Sequence, residues 1–206
     1  MDARDAAKDL EFIRTVMERA RRRIDPHAFH FVHWGAIVLV WYPAANLLQR
    51  RGEGGAALAV GVAALLLGGL LSGIREARLS RRPRLPGEDE HVSGQVLKIV
   101  WGTLGAAALV SFAAPATGFL PGESIPVVWG IAYANLAFMT GVVYSREYLW
   151  SGAAILAGCV LAMAVPEWNA AILGPFMGLG LMVPGLQAER RVKEMAKEAA
   201  HGPLPR

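Results

Sequence analysis

Residues 75–98 read REARLSRRPRLPGEDEHVSGQVLK. Arg75, Arg78, Arg81, Arg82, Arg84 and Lys98 fall in this one polar segment, with a long apolar run on either side of it. Connectors between membrane spans that carry an excess of Lys and Arg stay in the cytoplasm. The segment therefore predicts a cytoplasmic loop of an integral membrane protein, and it sets the orientation of its neighbours.

Composition agrees. The chain has 206 residues, of which 54% are hydrophobic and 18% charged, with a net charge of +4. Soluble domains run nearer one quarter charged. Most of the charge falls in residues 1–25, 75–98 and 187–206, and Arg50 and Arg51, between spans one and two, would face the exterior as the exception to the charge bias. The apolar runs between these blocks are long enough to cross a bilayer core of about 30 Å as helices. Basic residues that flank apolar runs suit an anionic lipid surface. Nucleic acid is not an expected partner, since no RNA-binding motif or zinc-ligand spacing is present. The single cysteine, Cys159, lies inside an apolar run, excludes an intrachain disulfide and reads as a small buried hydrophobe.

Residues 1–26 predict a cytoplasmic amphipathic helix. Leu10, Ile13, Met17, Ala20 and Ile24 recur at steps of three and four, while Glu11, Arg14, Glu18, Arg21 and Arg22 take the other side. Pro26 ends it. No central apolar region interrupts the charge, so a cleaved leader is not expected and insertion would use the first span itself. The stripe of Leu10, Ile13 and Met17 is the expected partner-binding surface. It would lie in headgroups, pack on the protein's own cytoplasmic face or pair with another helix.

Residues 27–187 predict a six-helix transmembrane domain, with spans at about 29–48, 54–74, 96–114, 126–144, 148–165 and 170–186. Ala57/Gly61, Gly69/Gly73 and Gly174/Gly178 are small residues four apart, the spacing that lets a second helix approach closely. Pro175 should kink span six unless the carbonyl it frees finds a partner. Residues 188–206 predict a cytoplasmic helical tail. An even number of spans puts the basic clusters at 19–23, 75–84, 146 and 190–197 on one side, with both termini cytoplasmic. Trp34-Gly35, Trp101-Gly102 and Trp150-Ser151 would each open a hairpin at the cytoplasmic face, giving three hairpins. The fold expected is all-α.

Little in the spans carries chemistry. Their middles hold no Asp, Glu, Lys, Arg or His, which argues against a proton pump or an ion-coupled transporter. Tyr133 and Asn135 are the polar groups best placed to line a cavity, and Asn135 would otherwise bond to another helix. His27, His30 and His33 are three apart at the start of span one, so His30 and His33 are candidate metal ligands, with His91 a conceivable third. Haem ligation by His33 is a further option. No carboxylate or cysteine stands beside them at ligand spacing in sequence, and interfacial histidines give the plainer explanation. No phosphate loop, catalytic triad or paired-carboxylate arrangement is present.

The opening DLEFIRTVMERARRR, followed by a span that begins HFVHWG, resembles the start of bacterial multi-span membrane proteins. The likeness covers about the first 45 residues. It implies a protein of the bacterial plasma membrane and lends no catalytic residue, cofactor or substrate.

The expectation is a non-enzymatic regulatory or accessory membrane subunit without a cofactor. It would associate through its cytoplasmic helices with a soluble or membrane partner or with a second copy. The alternatives are a small carrier or channel for neutral or apolar solutes, and a metal or haem protein using the histidines of span one.

Overall fold

The computed structural model describes residues 27–81 and 90–201, and within the helices the side chains of residues 90–93, 97, 112, 196 and 198–201 are left aside. The amphipathic stretch 1–26, with Leu10, Ile13 and Met17, lies outside the described residues.

Every regular element described is helical. The order is α1 (Ala28–Arg50), α2 (Gly54–Leu79), α3 (Glu90–Ala116), a 3-10 turn (Gly122–Ser124), α4 (Ile125–Val143), α5 (Glu147–Ala164), a second 3-10 turn (Pro166–Trp168) and α6 (Asn169–His201). Six helices are long and apolar enough to cross a membrane. Their outer surface fits that reading. Val40, Leu58, Leu66, Leu70, Leu109 and Val142 are each 62–79% exposed. Soluble monomers rarely show contiguous apolar surface on this scale, and it is compatible with a multi-pass membrane protein.

The core belongs to α1, α4, α5 and α6, where Val38, Tyr42, Ile155, Leu173, Met177 and Leu181 are buried together. α1 packs on α2, α3 on α4, α4 on α5 and α5 on α6, whereas α2 and α3 scarcely meet among the described residues; the most extensive interface joins α1 to α6. Glycine makes that approach possible. A Cβ added at Gly178 would lie 2.5 Å from the Leu39 Cβ, and one at Gly174 would lie 2.6 Å from Pro43. The expected Gly174/Gly178 pair is thus a packing stripe. On α2 the buried small residues are Ala57, Gly61, Gly68 and Ser72, while Gly69 and Gly73 face open space. Ala57/Gly61 therefore takes the packed face, and Gly69/Gly73 misses it by one position.

α6 runs unbroken through Pro175 and Pro184, so the last span and the charged tail form one helix of 33 residues. A proline removes the N–H that would bond the carbonyl four residues earlier. For Pro184 that carbonyl belongs to Gly180, and Ser151 of α5 donates its hydroxyl to it. Neighbouring side chains re-satisfy freed backbone groups in this way in apolar surroundings.

Side-chain bonds identify the two ends of the bundle. At the basic end Arg75 of α2 pairs with Glu189 of α6 at 3.1 Å, and Arg191 pairs with Glu147 of α5. Ala28, Tyr148 and Ala188 are buried together beneath them. At the opposite end Asn46 donates to the Glu167 carbonyl at 3.1 Å and Arg50 reaches the Glu167 carboxylate at 3.4 Å. Asn169 donates there to the Glu123 carbonyl.

Candidate metal centre

The first turns of α1 carry His27, His30 and His33 at steps of three, which places all three rings toward one neighbour. That neighbour is the last part of α2. Gly68 and Ser72 are buried on its inner face, and Glu76 follows one turn further on. The histidines meet this column. Glu76 Oε1 lies 2.7 Å from His27 Nδ1 and 2.8 Å from His30 Nε2. Ser72 Oγ lies 3.2 Å from His30 Nδ1 and 2.8 Å from His33 Nε2, and it accepts from Trp34 Nε1 at 3.2 Å. His33 Nδ1 donates to the Phe29 carbonyl at 2.7 Å. Phe29 holds the rings from below, stacked on His33 at 6.0 Å and tilted against His30 at 4.1 Å. The Arg75 guanidinium lies over the Phe29 ring, 5.1 Å from its centroid.

Hydrogen accounting gives this cluster its chemistry. His33 donates through Nδ1, so its neutral ring can only accept at Nε2. Ser72 has a single hydrogen, and the shorter contact directs it to His33. Trp34 can only donate. The Ser72 oxygen is then left to accept from His30, which must carry its hydrogen on Nδ1. In the neutral ring that puts the lone pair of His30 Nε2 against a carboxylate oxygen. The contact is favourable only when a positive species stands between them: a proton or a metal cation.

The donor set fits a metal. One ligand atom each from His27, His30 and Glu76 lie within 4.8 Å of one another, and all three residues are half-buried. Two imidazoles and a carboxylate form a His₂Glu set of the kind that holds zinc with a fourth position open. Coordination at about 2.0–2.2 Å in a tetrahedron spaces the ligands roughly 3.3 Å apart. The imidazole–carboxylate gaps of 2.7 and 2.8 Å would open by about half an ångström to reach that spacing. A metal-bound histidine characteristically donates its other N–H to an outer partner. Here His30 Nδ1–H would donate to Ser72, which is itself fixed by Trp34 and His33.

Of the two ligands expected from spacing, His30 and His33, only His30 joins the convergent set. His33 uses both ring nitrogens within the protein, so it supports the site and offers no axial position to haem. The side chain of His91 lies outside those described. Spacing along α1 does not point to Glu76 or Ser72, because they stand on another helix and are joined to the histidines by folding alone.

Tyr133 lines a narrow apolar slot of about 70 Å³ beside His27 and His30, shared with Trp101 of α3, Thr140 of α4 and Leu181 of α6. Asn135 lies on the exposed side of α4, away from that slot.

The fold and this cluster define the class, an all-helical bundle with six apolar helices and a polar His/Glu centre at its basic end. No family model, curated protein or solved structure matches the chain.

Proposed function

We propose that the chain is a metal-binding multi-pass protein of a bacterial plasma membrane. It consists of three helical hairpins with both termini in the cytoplasm, and it holds one divalent transition-metal ion through His27, His30 and Glu76. The observation that carries this reading is the convergence of two imidazoles and a carboxylate from α1 and α2 on one point. On this topology the site sits at the cytoplasmic mouth of the first two spans. Imidazole and carboxylate together suit zinc and its first-row neighbours better than magnesium or calcium.

The role we propose for it is regulatory or accessory. Among the described residues the buried polar side chains are Asn46, Ser72, Thr140, Ser151 and Asn169, none of them ionisable. The stripe of Leu10, Ile13 and Met17 then serves a protein partner or a second copy. Support for a solute carrier is thinner, since Asn135 is exposed and the slot at Tyr133 is narrow.

Metal binding is tested on detergent-purified protein stripped with a chelator and titrated with Co²⁺. One ion per chain and the intense visible bands of a tetrahedral site are expected, with Zn²⁺ displacing them. His30→Ala and Glu76→Gln should each weaken binding by more than about a hundredfold, beyond the range seen for outer partners alone. Unchanged stoichiometry and affinity in both variants would remove the site. The partner role is tested separately by crosslinking in membranes after Ile13→Asp and Met17→Asp. Loss of a crosslinked species is expected, and an unaltered pattern would sink docking through this stripe.

A further inference from the structure

The end of the bundle opposite the His/Glu centre holds a larger recess. It measures about 520 Å³ and is walled by the last turns of α1, the first turns of α4 and α6, and the two 3-10 turns. That volume lies within the range of small-molecule sites. Its aromatic walls are Trp41, Tyr42 and Trp129, and its polar groups include Asn46, Glu123 and Glu167.

Two of the polar groups available there are acceptors. Arg50, the cation at this rim, is already engaged: it pairs with Glu167 at 3.4 Å and lies 4.2 Å over the Trp168 ring. Asn169 spends its amide on the Glu123 carbonyl, which leaves the exposed Glu123 carboxylate with no ion pair among the described residues. Asn46 is 4% exposed, and it donates Nδ2 to the Glu167 carbonyl. Its Oδ1 has no hydrogen-bond partner among the described residues. A buried acceptor without a partner is costly, so a donor brought in by a ligand gains what the free protein lacks. The inventory is therefore an unpaired amide oxygen, an unpaired carboxylate and three aromatic side chains, together with one donor unpaired among the described residues, Trp41 Nε1–H, on the indole edge that packs against Gly61 of α2. Indole and phenol faces attract cations, and carboxylates strengthen N⁺–H donors.

We propose that this recess is a binding site for a small organic cation, a primary or secondary ammonium carried on an apolar or aromatic body. The ammonium N–H donates toward Asn46 Oδ1 and sits in the field of Glu123, while the body lies among Trp41, Tyr42 and Trp129. The site is separate from the metal centre and does not depend on it.

The test uses the full chain in detergent or nanodiscs, with phenethylammonium as the probe and quenching of tryptophan fluorescence plus calorimetry as readouts. Saturable binding is expected. The isosteric anion 3-phenylpropanoate should bind more weakly by about tenfold or more, the scale of one charge-assisted contact. Trimethylphenethylammonium keeps the charge and loses the N–H, and it should fall between the two. Glu123→Gln, on an exposed side chain, should weaken the ammonium severalfold without disturbing the fold. Asn46→Leu should weaken it further, with elution profile and helical content reporting whether that variant still folds. Absence of saturable binding, equal affinity for the anion, or an unchanged affinity in Glu123→Gln overturns the proposal. Binding that survives metal stripping is expected, and it separates this site from the His/Glu centre.

Discussion

Helix α1 packs against α6 on one side and α2 on the other, and glycine does different work in the two seams. Against α6, glycine meets backbone: a Cβ added at Gly35 would lie 2.7 Å from the Gly178 carbonyl oxygen, and one at Gly185 would lie 3.1 Å from the Val32 amide nitrogen. Against α2, glycine meets rings: a Cβ at Gly61 would lie 2.9 Å from the Trp41 indole and one at Gly68 would lie 2.5 Å from that of Trp34. The first seam brings two backbones together along its length from Gly35 to Pro43. The second holds them apart by the width of an indole. At its basic end that spacing admits Ser72, Glu76 and three imidazoles. The α6 seam fixes the architecture, and the α2 seam carries the chemistry.

The largest effect should come from the seam that cannot yield. Gly178→Leu places a branched side chain where Leu39 and the Gly35 carbonyl already stand, within 2.9 Å of an added Cβ. Overpacking of this kind costs about 3 kcal/mol when backbones must separate. The variant should lose most of its thermal stability in detergent and elute as aggregate. Gly69→Leu makes the same chemical change on a face with nothing within 4 Å, and its cost should stay within about 0.5 kcal/mol. Equal behaviour of the two variants would show that the α1–α6 approach does not hold the bundle together.

The two seams also differ in how legible they are in the sequence. Six apolar runs separated by charge are enough for six helices, because length and hydropathy act locally. Gly174 and Gly178 are legible as a packing pair, since they recur one turn apart. The α2 face is harder. That helix is apolar nearly all round, so periodicity cannot choose between Gly69/Gly73 and Gly68/Ser72. The continuity of α6 past Leu186 is hidden by Pro184, whose local preference is overridden by the Ser151 bond to Gly180. In sequence Glu76 is one charge in a basic exit, and it lies 49 residues from His27. One signal is present: Gly68, Ser72 and Glu76 are each four apart and share a face, so the only hydroxyl and the only carboxylate of that stripe point the same way as the buried glycine. Three histidines at steps of three on the preceding helix complete the pattern.

The α2 seam is sharpened by Ser72→Ala, a change that removes one oxygen and little volume. Ser72 Oγ is the common partner of Trp34, His30 and His33. Its loss should barely disturb packing, since the indole of Trp34 still rests on Gly68. It should, however, release the His30 ring. With Ser72 present, the acceptor at Nδ1 favours the tautomer whose Nε2 is free to bind metal beside Glu76. Without it, His30 can place its hydrogen on Nε2 and donate directly to Glu76, and metal must displace that hydrogen bond. Loss of an outer partner lowers metal affinity by roughly 10–100-fold. Co²⁺ titration of Ser72→Ala should therefore show unchanged stoichiometry with affinity reduced in that range, and Ser72→Thr, which keeps the hydroxyl, should recover most of it. Wild-type affinity in Ser72→Ala would mean that the hydroxyl only fills space between two helices. A loss of thermal stability as large as that of Gly178→Leu would mean that the α2 seam, too, is structural before it is chemical.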